Sequence, residues 1–142
     1  SLKIIESTIN SDLNEYLNKI IKGNPDVLCF CCYIWNIDKT LEICEKIKDK
    51  TNCKIILGGP EVSYRQQNVL ENYIFIDYVL SGEGEETYPL LLDVLSENGD
   101  LSSIPGLSYR ENEKIYKGER RCQEEVESLK RTYYQIQCME AR

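Results

Sequence analysis

The chain has 142 residues, is 42% hydrophobic and 29% charged, and carries a formal net charge of −7. That length supports one domain with a real core and is too short for two. The acidic balance argues against binding DNA or RNA through charge, because neutralising phosphates needs clustered Lys and Arg. No apolar stretch approaches the ~20 residues that a membrane-spanning helix needs, and the start lacks a signal-peptide pattern. A cytoplasmic protein with no nucleic-acid or membrane partner is therefore expected.

Leu2 to Ile5 is a short apolar run that reads as a strand. Asp12 followed by Glu15 resembles a capping box. Leu13, Tyr16, Leu17, Ile20 and Ile21 then recur at helical spacing, and Gly23-Asn24-Pro25 ends the helix. Val27 to Tyr33 is wholly apolar, as expected of a parallel strand covered on both faces. Ile37, Thr40, Leu41, Cys44 and Ile47 form the apolar side of a second helix. The next apolar run is Cys53 to Leu57, giving a sheet strand at 54–58, and Val62 to Asn72 is a weaker helix anchored by Val69 and Leu70. Ile76 to Leu80 is a third strand. The helix after it has Tyr88, Leu91, Leu92 and Leu95 facing inward, Pro89 in its first turn and an end near Asn98-Gly99. Residues 106–117 read as a β-hairpin with Asn112 in the turn. Beyond Glu119 a short amphipathic helix and a linker are both compatible with the pattern.

Strands alternating with helices give a flavodoxin-like (Rossmann-like) α/β fold, a three-layer α/β/α parallel sheet with right-handed crossovers and a C-terminal β-hairpin. The sheet reads as lacking its first βα unit, because Leu2 to Ile5 leads into Val27 as a second strand leads into a third. The expected organisation is an α/β domain over 1–105, a hairpin extension over 106–118, and a linker or short helix over 119–142. An open edge left by the absent strand predicts a homodimer.

Three loops leave the carboxyl ends of the strands, the edge where open α/β sheets bind ligands. Tyr33, Trp35 and Asn36 offer two aromatics and an amide. Gly58, Gly59, Pro60 and Glu61 offer bare backbone at a helix start. Gly82, Glu83, Gly84 and Glu85 offer two glycines beside a carboxylate cluster. Each has a structural alternative: Trp35 as a cap on the core, Gly58-Gly59 as a tight turn, and Glu85 and Glu86 as helix-dipole partners. No Walker-type Lys follows either glycine loop, and Gly82-Glu83-Gly84 lacks the third glycine of a dinucleotide fingerprint. The seven cysteines, at 29, 31, 32, 44, 53, 122 and 138, read as reduced small hydrophobes rather than a metal centre. Histidine is absent, which removes His-based acid–base catalysis and His metal ligation by these residues. No catalytic residue is expected.

In combination and order, these segments point further. Pro25-Asp26-Val27 running to Tyr33-Ile34-Trp35-Asn36, then Ile56-Leu57-Gly58-Gly59-Pro60-Glu61-Val62-Ser63-Tyr64, then Ile76 through Thr87, resemble the N-terminal cobalamin (B12)-binding domain of B12-dependent radical SAM proteins. That group includes magnesium-protoporphyrin IX monomethyl ester cyclase-like enzymes. Ile104 to Arg110 is similar to the hairpin that precedes the radical SAM barrel. The resemblance implies a cobalamin-binding module with no catalysis of its own. S-adenosylmethionine and a 4Fe-4S cluster would belong to a barrel beyond Arg142, carrying methyl transfer or oxidative cyclisation. It also implies that the corrin lies over the strand ends, with Tyr33 and Trp35 against its edge. The wider fold's Asp-x-His-x-x-Gly cobalt-ligand motif follows the first strand, in the βα unit that this sequence reads as lacking; no residue present replaces it by imidazole, and Cys31 stands where that fold often has Ser. The alternatives are a free-standing flavodoxin- or receiver-like regulatory module, for which no acidic cluster with a late Lys is evident, and a protein-interaction domain. A visible titration with cobalamin separates the first reading from both.

Overall fold

The computed structural model describes residues 3–8 and 10–118. Helix α1 spans Leu13–Gly23, with Asp12 accepting hydrogen bonds from the amides of Asn14 and Glu15 and Asn24 closing the helix in the left-handed region at φ 43°. The Glu15 carboxylate turns outward to Lys19 Nζ at 2.6 Å. Strand β1 is Val27–Cys31, α2 is Ile37–Lys48, and β2 is Lys54–Gly58. Two short helices follow, α3 (Pro60–Ser63) and α4 (Gln66–Asn72), then β3 (Tyr78–Leu80) and α5 (Gly84–Glu97). A hairpin of β4 (Leu107–Glu111) and β5 (Lys114–Lys117) completes the described chain.

The five strands form one sheet in the order β1-β2-β3-β4-β5. β1, β2 and β3 are parallel; β4 joins β3 antiparallel and β5 joins β4 antiparallel. Alternation along each strand builds two apolar layers. Phe30, Ile55, Leu57 and Val79 pack with α1, α2, α3 and α4, while Ile56, Tyr78 and Leu80 pack with Leu91 of α5 and with Leu107 and Tyr109 of the hairpin. This is the expected three-layer flavodoxin-like arrangement, with the hairpin extending the sheet itself.

Several local expectations change. Residues 3–8 form no strand, and Ile4 is 56% exposed; an apolar run becomes a strand only where a neighbour takes its backbone hydrogen bonds. The 62–72 helix is two helices, interrupted at Tyr64 and Arg65, where the backbone opens to φ −130°. β1 stops at Cys31, where residues 32–36 leave the sheet through a turn that leads into α2, and β3 begins only at Tyr78. α5 starts at Gly84, so Pro89 lies inside it rather than in its first turn. The hairpin turn is as expected, with Asn112 at φ 49° and Glu113 at φ 65°. The 119–142 segment lies outside the described residues. Among the described residues no helix is long and apolar enough to cross a membrane.

Candidate functional site at the strand ends

Cys31 lies beside Gly58 and Leu57 beside Val79 in the sheet register, so parallel pairing delivers the exits of β1, β2 and β3 to one edge. At the first exit, Asn36 is the clamp. Its Oδ1 accepts from the Tyr33 amide at 2.8 Å and its Nδ2 donates to the Cys31 carbonyl at 3.0 Å. The turn held in this way stacks the Tyr33 and Trp35 rings face to face, with centroids 4.6 Å apart and planes 5° from parallel. Trp35 remains 50% exposed and Ile34 77%.

The second exit is interlocked with the first. The Cys32 amide donates to the Gly58 carbonyl at 2.7 Å, and the Glu61 amide donates to the Cys32 carbonyl at 3.1 Å. Gly59 sits at φ 98°, ψ 171°, and a Cβ there would lie 2.6 Å from the Cys32 oxygen. The need for glycine at 59 is thus met inside the protein, by the packing of two loops. Pro60 opens α3, and the Glu61 carboxylate takes a 2.8 Å ion pair from Arg65. At the third exit Gly82 has φ 95°, and among the described residues a Cβ at Gly82 or at Gly84 would meet no heavy atom within 4 Å. The Glu83 carbonyl accepts from the amides of Glu86 and Thr87 and starts α5, while the Glu83 side chain makes no capping bond. Glu85 is exposed in the first helical turn, where the helix dipole favours a carboxylate.

The edge therefore brings all eleven sequence-predicted residues into one row of loops, with different duties. Asn36 and Gly59 hold the loops together. Tyr33, Trp35, Gly58, Gly82, Glu83, Gly84 and Glu85 present ring faces, open backbone or carboxylates. Beside them a cavity opens at the end of β1, floored by Phe30 and Cys31 and walled by Ser11, Asn36, Lys39 and Thr40.

The five described cysteines do not converge on one point. Cys29 and Cys32 have Cys-x-x-Cys spacing, but Cys29 is exposed whereas Cys32 is buried in the core against α2. Burial pushes the thiols of Cys32 and Cys44 well above the usual range, so both stay protonated. Among the described residues no group of Cys, Asp and Glu is arranged to hold a metal ion. Burial, with a smaller contribution from Cys29, also pushes the Tyr88 hydroxyl up to about 12. Sequence reasoning missed one cluster, formed by Gln66, Ser81, Gly106 and Ser108 behind the third loop. The signal available was the spacing of Gln66 with Val69 and Leu70, which places an amide on the buried side of α4.

A corrin is a broad, flat, largely apolar ring with amide arms. The stacked pair, the glycines with open space and the free carboxylates fit such a group; no residue of the sequence offers an imidazole to its cobalt.

The B12 binding domain family matches residues 2–92. A cobalamin-dependent radical SAM methyltransferase of Streptomyces tokunonensis is 35% identical over 88 residues, covering 61% of this chain and 13% of its own length. An uncharacterized methyltransferase of Pyrococcus horikoshii is 31% identical over 118 residues, 80% of this chain and 25% of its own. The anaerobic magnesium-protoporphyrin IX monomethyl ester cyclase of Synechocystis is 33% identical over 64 residues, 45% of this chain and 13% of its own. The chain thus spans between 13% and 25% of these curated relatives. Among solved structures, the S-adenosylmethionine radical enzyme OxsB with aqua-cobalamin bound superposes on 80% of this chain and 16% of its own, with a TM-score of 0.67 and 18% identity. TsrM from Kitasatospora setae, with cobalamin and an iron–sulfur cluster bound, covers 79% of this chain and 22% of its own, with a TM-score of 0.65 and 20% identity. At those identities the superpositions speak for the fold alone. With more than half of its residues inside the match, this chain belongs to the B12-binding domain family.

Proposed function

We propose that this chain is the cobalamin-binding module of a larger B12-dependent radical SAM enzyme, and that the corrin rests on the carboxyl ends of β1, β2 and β3. The observation that carries the reading is the edge itself. In a chain of this family, three loops open side by side, and two of their glycines face space that no atom of the described residues fills. Tyr33 and Trp35 offer flat apolar cover to the ring edge. Gly58, Gly82 and Gly84 let backbone approach the ligand. Glu83 and Glu85 offer acceptors for amide N–H groups. When bound, cobalamin supplies the organometallic chemistry, and the protein sets its orientation and excludes water.

The rest of the enzyme would hold S-adenosylmethionine and the 4Fe-4S cluster and would carry out methyl transfer or oxidative cyclisation. Its radical SAM domain is the partner expected to face this edge, where Ile34 and Tyr64 are strongly exposed. β1 ends the sheet order, so a second copy paired along it would form a homodimer. The test of the cofactor reading is titration of aquacobalamin with the 142-residue chain, followed in the visible spectrum. Saturable band shifts at one cobalamin per chain are expected; an unchanged spectrum at saturating protein would overturn the reading.

A further inference from the structure

We infer that Gln66 is a positioning residue for the third loop of this edge, an inference that rests on the cobalamin reading. Gln66 is 3% exposed and lies at the start of α4, and its side-chain hydrogen bonds go to Gly106 and Ser108 rather than to the strand-end residues assigned above. Its Nε2 donates to the Gly106 carbonyl at 3.1 Å, and its Oε1 accepts from Ser108 Oγ at 2.7 Å. The same Gly106 oxygen accepts from the Ser81 amide at 2.9 Å and from Ser81 Oγ at 3.3 Å. Three donors from two elements therefore converge on one oxygen. Gly106 is pressed so closely against Ser81 that an added Cβ would lie within 2.3 Å of the Ser81 oxygen.

Ser81 is the last anchored residue before Gly82, Glu83 and Gly84. Beyond it the loop has little packing of its own, since among the described residues neither Gly82 nor Gly84 has a neighbour within reach of a Cβ. Its direction is set by the residue from which it springs, and Ser81 is set by Gly106. Gln66 holds Gly106 in place by gripping the hairpin at two points, 106 and 108. Only a side chain with both a donor and an acceptor can do so. A hydrophobic residue of similar length would fill the space and leave the Ser108 hydroxyl buried without its acceptor, the costlier half of such a loss.

The experiment compares the full chain with Gln66→Met, Ser108→Ala and the double variant Gln66→Met/Ser108→Ala. Each is followed by thermal melt, by amide hydrogen exchange at 82–86 without cofactor, and by aquacobalamin titration well below the melt. Gln66→Met should melt lower, and the double variant should recover much of that loss because both polar partners are gone. Exchange at 82–86 should nevertheless rise about fivefold or more, and aquacobalamin affinity fall by about the same factor, in both variants that lack Gln66. Ser108→Ala keeps the bond to Gly106 but removes the second grip, and its exchange and affinity should fall between those of the parent and of the variants that lack Gln66. A double variant with a recovered melt and parental exchange would reduce Gln66 to a packing role and overturn the inference. Raised exchange with parental affinity would likewise overturn it. Failure of the parent chain to bind aquacobalamin would overturn the cobalamin reading, and is seen before any variant is made.

Discussion

A side chain at position 59 would begin 2.6 Å from one backbone oxygen, whereas a side chain at position 82 would meet open space. Both glycines end buried strands at the same edge, but only at position 59 is the need for glycine already met by packing inside the protein. Position 59 also lies at φ 98°, ψ 171°, a region essentially reserved for glycine. Gly59→Ala should therefore cost about 3 kcal/mol or more in urea unfolding, and Gly82→Ala about 1–2 kcal/mol from conformational strain alone. Gly82→Val, read against its own melt, is then the variant that reports on ligand space, and its aquacobalamin affinity should fall much further than its stability. The buried thiols give a second prediction at this scale. Cys32 and Cys44 are held protonated by burial, so their folded pKa lies above the unfolded value. Above pH ~8.5 the unfolded chain loses these protons and the folded chain keeps them. The stability they contribute is complete below that pH and is lost as pH rises, by up to about 1.4 kcal/mol per pH unit for each thiol. Melting temperature should fall between pH 8 and 10.5, and Cys44→Ala should flatten the slope; an equally steep slope in that variant would exclude the thiol as its cause.

Among the elements, the hairpin is tied to α4 and to the approach to β3 by one cation. Arg110 on β4 donates to the backbone carbonyls of Leu70, Ile74 and Ile76, closing the carboxyl end of α4 and the approach to β3. Arg110→Met keeps the stem and removes these bonds, and should lower stability by about 2 kcal/mol with the exchange protection of 107–117 falling first; uniform loss across the sheet would argue against a local tie. The parallel strands were legible because runs such as Ile55-Ile56-Leu57 have no polar alternation, and only a strand covered on both faces needs that. α1 was legible from its ends, at Asp12 and at Asn24. Periodicity carried no information about the break between α3 and α4, since Val62, Val69 and Leu70 keep one apolar side through it. Nor could it say that the hairpin joins β3, because antiparallel pairing of β4 depends on where Gly106 meets Ser81, a contact distant in sequence. The strand-end row was legible as an edge, but the split between clamps and open surface was not, because Asn36 and Gly59 show their duties only through the atoms they meet.

For the molecule as a whole, the two ends of the sheet differ. β5 is a charged hairpin strand, with Lys114 and Lys117 exposed, and edge lysines discourage pairing with another chain. β1 is the other end, Val27-Leu28-Cys29-Phe30-Cys31, with no charge and no proline. It pairs with β2 in regular register through five positions, and nothing in its composition blocks a further strand. A short, uncharged, regular edge of this kind is where a second copy would add. Light scattering on the 142-residue chain should therefore give a mass that rises with concentration toward twice 16.5 kDa. Cys29 is exposed on β1, so Cys29→Lys places a charge on the edge strand without entering the core. It should hold the chain at the single-copy mass with an almost unchanged melt. A parent chain that stays at 16.5 kDa across the concentration range would remove the dimer. A Cys29→Lys variant that still doubles its mass would move the interface elsewhere.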